Sequence, residues 1–270
     1  MIAVQLTVRS VSRVSEFPGT RFPHASRYKV FEERNVKSTP EEIRERFDCE
    51  VERFSNLQTG QSATMDAPLV LELICGAAAA TNPNARALLD VGCGAGNYSL
   101  KLLRQLRGLD VTLVDLSQPM LDRAVERIEK ERHGRITPIH GDIREINLPD
   151  SSHDIIVAAA VLHHLRTEAE WEMIFRRFHS CLRPGGSIWI ADLIEHDLSA
   201  IQKMMWERYG TYLSQLKDEA YRDAVFNYIE KEDSPRSLLF QIDLLRRVGF
   251  KNVEILHKNS VFAAFGALKA

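Results

Sequence analysis

Cysteine is sparse and unpaired in this 270-residue sequence: Cys49, Cys75, Cys93 and Cys181 stand far apart, with no C-x-x-C pair. That pattern argues against a zinc–thiolate site and against a disulfide framework, and it suits a reducing cytoplasm. No metal-ligand set is read from the chain. Long hydrophobic runs are missing as well. Stretches such as Ile155 to Leu162 reach eight residues, against the ~20 that a bilayer span needs, so no membrane association is expected. The start, Met1 to Val8, is interrupted by Gln5 and Thr7 and has no charged n-region, so no secretory signal is read. An excess of one charge sign is absent too. A formal net charge of −2 provides no basic field for gripping nucleic acid non-specifically. What remains is ordinary: 44% hydrophobic and 27% charged residues describe a folded globular chain with room for one α/β domain and its decorations.

The first 38 residues carry seven Lys/Arg against three Asp/Glu, and Pro18-Gly19 and Pro23 interrupt them. An irregular basic arm is expected there. Thr39-Pro40-Glu41-Glu42 predicts an N-cap, a first-turn proline and acids suited to the helix dipole, opening a helix through about Phe54. A polar linker, Asn56 to Met65, leads to a second helix from about Asp66 to Ala80, where Leu69, Leu73, Ile74 and Ala77 recur at helical spacing. From Leu88 onward strands and helices alternate, which implies a parallel sheet. Residues 193–233 interrupt the alternation with an aromatic-rich helical insertion. A helix starting at Ser234-Pro235 and two strands, about Val253 to His257 and Val261 to Leu268, close the chain as an antiparallel hairpin.

Leu88 to Tyr98 joins an apolar strand to a glycine-rich turn and then to a helix. Gly92, Gly94 and Gly96 permit positive φ and close approach of a ligand, and the helix start offers unpaired N–H groups. The spacing is G-x-G-x-G, with Asn97 where the dinucleotide fingerprint needs its third glycine, so NAD is disfavoured. Asp115 follows Gly96 by 19 residues at the end of the second strand, where a carboxylate suits a ribose diol. With Asp90 two residues before the first glycine, the stretch resembles motif I of class I S-adenosylmethionine (SAM)-dependent methyltransferases. The segments Ala160-Val161-Leu162-His163-His164-Leu165 and Leu182-Arg183-Pro184-Gly185-Gly186 are similar to that family's sequences after strand four and before strand five.

The resemblance implies a Rossmann-like, doubly wound seven-stranded α/β sheet with an antiparallel last strand. It also implies an arm and cap helices over 1–84, a core over 85–270, and a lid made by 193–233. It implies SAM as cofactor, with Asp90, Gly92, Cys93, Gly94 and Gly96 at the methionine end. Asp115, with Leu116 beside it, falls at the ribose; Met120, Asp142 and Ile143 fall at the adenine, and Ala159 beside the sulfonium. Cys93 reads as a small residue packed beneath the ligand. Methyl transfer needs chiefly placement of a nucleophile and exclusion of water, so no triad is required. His163 is the candidate general base, with a pKa near neutrality. Tyr28, Gln61, His163 and Arg222 are candidates for substrate contact.

The acceptor expected is a small molecule; tRNA, through the basic arm, and a homodimer stay open as partners. The layout, with D-S-P-R-S at 233–237 and F-G-A-L-K-A at the end, is also similar to carboxy-SAM synthase. That enzyme remodels SAM with prephenate for tRNA wobble-uridine modification, and Arg222 falls near its carboxylate-gripping arginine. Against this, Ala159 stands where that family carries asparagine. A non-catalytic SAM-binding regulator is the further alternative.

Overall fold

The computed structural model describes residues 37–56, 61–131 and 133–270. Tyr28 and the basic arm as far as residue 36 lie outside the described residues. Two short helices, α1 (Pro40–Asp48) and α2 (Val51–Ser55), stand where one helix through Phe54 is expected. The Thr39–Glu42 capping box and Pro40 open α1 as the sequence predicts. The break at Cys49–Glu50 lets both pieces lie on one later helix, α5 (Gln118–Ile128): Asp48 accepts from Ser117 Oγ at 2.5 Å, and Arg123 pairs with Glu52.

Between α2 and α5 run α3 (Ala67–Thr81), β1 (Ala87–Val91), α4 (Asn97–Leu103) and β2 (Asp110–Asp115). After α5 come β3 (Ile136–His140), β4 (His153–Ala159), a 3₁₀ turn over Leu162–His164, α6 (Glu168–Cys181) and β5 (Leu182–Leu193). The chain closes through α7 (Ser199–Leu216), α8 (Glu219–Glu232), α9 (Leu238–Val248), β6 (Phe250–Asn259) and β7 (Phe262–Lys269).

The seven strands form one sheet in the order β3-β2-β1-β4-β5-β7-β6, with β7 antiparallel to both neighbours. This is the doubly wound sheet with an antiparallel last strand that the family resemblance implies. Both sheet faces are covered, as the continuous apolar strands require. On one face α6 and α9 bury Trp171, Ile174, Phe175, Phe178, Ile242 and Leu245; on the other α3, α4 and α5 bury Ile74, Cys75, Leu102, Ala124 and Ile128. A separate cluster around Tyr209, Leu213, Val225 and Ile229 packs α7 and α8 against Leu193 and Val261.

Two sequence expectations need correction. The Leu182–Gly186 stretch belongs to β5, with a register irregularity opposite His153–Ile155, because Leu182 pairs with His153 before the ladder resumes at Ser187. The helix expected from Ser234 starts at Leu238. Ser237 is its N-cap, accepting from Phe240 N at 3.3 Å, while Ser234 N donates to the His163 carbonyl at 2.6 Å and holds residues 234–236 out of the helix. No helix among the described residues is long and apolar enough to cross a membrane.

Candidate functional site

The strand order reverses between β1 and β4, and the crevice at the carboxyl ends of β1, β2, β3 and β4 is where a doubly wound sheet binds its ligand. Its floor is the glycine turn. Gly92, Gly94 and Gly96 all have positive φ, yet each is required for a different reason. A Cβ on Gly92 would lie 2.6 Å from Val161 Cγ2, and one on Gly96 would lie 3.2 Å from the Ala124 Cβ, so these two glycines permit packing. A Cβ on Gly94 would meet nothing within 4 Å. Gly94 therefore leaves open the space that a ligand fills.

Asp115 organises this turn from the next strand end. Its Oδ2 accepts from Gly94 N at 2.7 Å and its Oδ1 from Ser117 N at 2.9 Å. Each oxygen keeps a lone pair for a hydroxyl. Burial holds the Asp115 carboxyl above its ordinary range, against the pull of the Ser117 and Gly94 N–H groups. Leu116, Met120, Cys93, Ile143 and Ala159 also line the crevice. Burial, with Asp115 and Asp90 nearby, pushes the Cys93 thiol well up, so it stays uncharged and is no nucleophile.

Two predicted carboxylates already have partners inside the protein. Asp90 is 2% exposed and accepts from Ser99 Oγ at 2.6 Å and Ser99 N at 3.3 Å, below the crevice lining. Burial raises its carboxyl to about 6, against the Ser99 hydrogen bonds. Asp142 lines the crevice and grips Arg144, whose Nε lies 2.9 and 3.0 Å from its two oxygens. Burial pushes the Asp142 carboxyl up, but the Arg144 contacts outweigh it and hold it below the ordinary range. Asn97 donates to the Phe54 carbonyl at 3.1 Å and accepts from Arg127 at 2.9 Å, which ties α2 to the glycine turn.

A second cavity adjoins the first, and Tyr98, Gln61, Ala159, Ala160 and His164 line both. Its remaining wall brings together distant segments: Arg46 and Arg53 from the helices before the sheet, His163 and Asp192 from the strand ends, and Tyr209, Tyr228 and Asp233 from the insertion. Arg46 forks onto Glu232, with Nε 2.9 Å from Oε1 and Nη2 2.6 Å from Oε2, and stacks 4.2 Å from the Phe47 ring centroid. Arg222, by contrast, is on α8 beside Gly210, paired with Glu219 and Asp223, and is not among the residues lining either cavity.

His163 hydrogen-bonds Asp192 through Nδ1. Asp192 Oδ2 also accepts from the N–H groups of Leu162 at 2.8 Å and His163 at 3.2 Å, and Oδ1 from Leu193 N at 2.7 Å, so the acid is fixed and the ring is oriented by it. Burial alone would favour the neutral ring, but Asp233 and Asp192 raise His163 to about 9. The imidazole is thus a cation and donor at neutral pH, where the sequence suggested a base titrating near neutrality. Burial and the neighbouring His163 push His164 well below its ordinary value. Arg46, Arg53, Tyr98, Asp192 and Asp233 escaped the sequence reading as site residues; Tyr98 closed the quoted glycine-turn stretch and Asp233 opened the D-S-P-R-S segment.

Residues 88–186 match the family model of the methyltransferase domain. The similarity is to a methyltransferase domain, and it covers this part of the chain. The carboxy-S-adenosyl-L-methionine synthase of Helicobacter pylori (strain G27) is 28% identical over 192 residues, covering 70% of this chain and 78% of that one. Human N-acetylserotonin methyltransferase, solved in complex with SAM, superposes with a TM-score of 0.52 at 19% identity, covering 82% of this chain and 56% of that one. An N-methyltransferase 2 of Haemonchus contortus, solved with phosphomonomethylethanolamine and S-adenosylhomocysteine, gives 0.54 at 17% identity, covering 83% and 60%. The residues of the crevice are compatible with SAM: open space over Gly94, a carboxylate with free lone pairs at Asp115, and apolar Met120 and Ile143 beyond it.

Proposed function

We propose that the methyltransferase domain binds SAM across the crevice above Gly94 and transfers its methyl group to a small-molecule nucleophile in the adjoining cavity. The observation that carries this reading is the shared wall, Tyr98 with Ala159, Ala160 and His164, which lines both cavities and sets them side by side. When bound, SAM supplies an electrophilic methyl group. The chain's own residues have to place the acceptor and keep water out. Small alanines at 159 and 160 leave room at the junction. Tyr209 and Tyr228 offer ring faces to the acceptor, while Arg46, Arg53 and His163 favour an acceptor carrying negative charge or oxygen acceptors. Residues 37–84 act as the cap and 193–233 as the lid, joined by the Arg46–Glu232 fork. Four free thiols suit a reducing cytoplasm.

The test is calorimetric titration with SAM, followed by incubation of the complex with pools of aromatic and carboxylated acceptors while S-adenosylhomocysteine is measured. One-to-one SAM binding and turnover with a member of these pools are the expected results; absence of SAM binding overturns the reading. Remodelling of SAM by a carboxylated co-substrate is the second reading, favoured by the curated relative and by the two cavity arginines. It predicts a carboxylated cofactor, detectable as a mass increase in the ligand of the freshly purified protein.

A further inference from the structure

The junction of the two cavities holds a group of side chains that methyl transfer does not require. His163 and His164 sit on the 3₁₀ turn after β4, and Asp233 caps the end of α8. Asp233 Oδ1 lies 3.6 Å from His163 Nε2 and 3.4 Å from His164 Nδ1, and one ligating atom from each residue falls within 4.8 Å of the others. Among the described residues, Asp233 Oδ1 and both ring nitrogens of His164 are buried without a hydrogen-bond partner. The Glu232 backbone favours the charged His164 ring without meeting hydrogen-bond geometry. Each buried group left in this way costs about 1–3 kcal/mol. Two of these atoms, Asp233 Oδ1 and His164 Nδ1, lie 3.4 Å apart and can share one partner.

The geometry points to a binding site for one divalent first-row transition-metal ion held by His163 Nε2, His164 Nδ1 and Asp233 Oδ1, with its open positions facing the acceptor cavity. Ligands each about 2.1 Å from one ion lie about 3.0–3.4 Å apart, within a few tenths of an ångström of the two distances seen here. Two imidazoles and one carboxylate are a donor set for zinc, iron, cobalt or nickel rather than for calcium or magnesium. Asp192 supplies the outer support that metal-binding histidines have: it accepts from His163 Nδ1, and the ion takes the place of the proton on Nε2. Asp192 is itself fixed by three backbone N–H groups. The sparse cysteines bear only on thiolate sites. Resting on the reading of this cavity as the acceptor's place, the inference names the acceptor class: a molecule with an oxygen donor, such as a phenolate or hydroxy acid, that completes the ion's coordination.

The full chain, stripped by dialysis against a chelator, is titrated with Co²⁺ and then with Zn²⁺. One equivalent of Co²⁺ is expected to bind with visible d–d bands that Zn²⁺ abolishes, and Asp233→Asn and His164→Gln each weaken binding at least about tenfold. Absence of stoichiometric binding, or undiminished affinity in both variants, overturns the site. The circular dichroism spectrum and melting temperature of each variant report whether it folds. If either fails, X-ray absorption of the Co²⁺-loaded wild type decides: an imidazole–oxygen shell supports the site and sulfur ligation overturns it. SAM binding by the stripped wild type separates the two readings, since SAM bound without metal uptake refutes only the ion, and metal uptake without SAM binding refutes only the methyltransferase assignment.

Discussion

The two adjoining cavities are built in opposite ways. The crevice above Gly94 is made by successive strand ends, and its key contacts connect strand-end acids to residues close by in sequence: Asp115 to Gly94, Asp115 to Ser117, Asp90 to Ser99. The second cavity joins segments nearly two hundred residues apart, with Arg46 meeting Glu232 and Lys37 meeting the Glu230 carbonyl at 2.6 Å. Backbone topology fixes the first, whereas side-chain pairing across separate helices fixes the second. The division lets loops and insertions change the second cavity without disturbing the sheet that forms the first.

The sharpest way to break the comparison is Gly94→Val. It imposes positive φ on a β-branched residue and fills the open space, so SAM affinity should fall about 1,000-fold, or about 4 kcal/mol, in calorimetry. Unchanged affinity would remove the crevice from its role. Next comes the buried carboxyl of Asp90. It takes up a proton near pH 6 when folded, against an ordinary value of 3.8. Stability present below pH 4 is therefore lost as pH rises to 6 and is level above, by about 3 kcal/mol for this group. Buried Asp233 and Asp115 are raised as well, so urea unfolding from pH 4 to 7 should show a fall in both proteins, smaller in Asp90→Asn by the Asp90 contribution; equal slopes contradict it.

How the two cavities were legible follows from the same contrast. The glycines, Asp115 and the alternating strands are local patterns with a fixed period, and the sheet reproduces them within a residue or two. Arg46, Asp233 and the fork to Glu232 have no local signature, since a charged residue on a helix reads as solvated until its partner is known. Asp142 shows a further limit: a strand-end acid was visible, but its engagement by Arg144 depends on a turn geometry that the sequence does not print. The helix break at Cys49 and the late start of α9 arose likewise from tertiary hydrogen bonds, to Ser117 and from Ser234, overriding local helix signals.

Two smaller effects sharpen the division. Asp115→Asn keeps the shape but loses charge-assisted acceptance, and should weaken SAM by about 2 kcal/mol, about 30-fold, while the melting temperature shows whether the glycine turn survives. Arg46→Gln should do the reverse. Loss of the fork lowers stability by about 1 kcal/mol, seen as roughly 2–4 °C in melting temperature, with SAM affinity unchanged. A shift in SAM affinity instead would mean that the two cavities are not separable.

Asn97 stands where a dinucleotide site would keep glycine, and its amide reaches across to the Phe54 carbonyl. One residue of the cofactor turn thus suspends part of the acceptor's wall. Any influence that passes along this bond is bound by reciprocity: if a filled crevice tightens the cavity by a given factor, an acceptor in the cavity tightens the crevice by the same factor. Asn97 is then one physical link between the two cavities, and a single side-chain amide joins the walls of both.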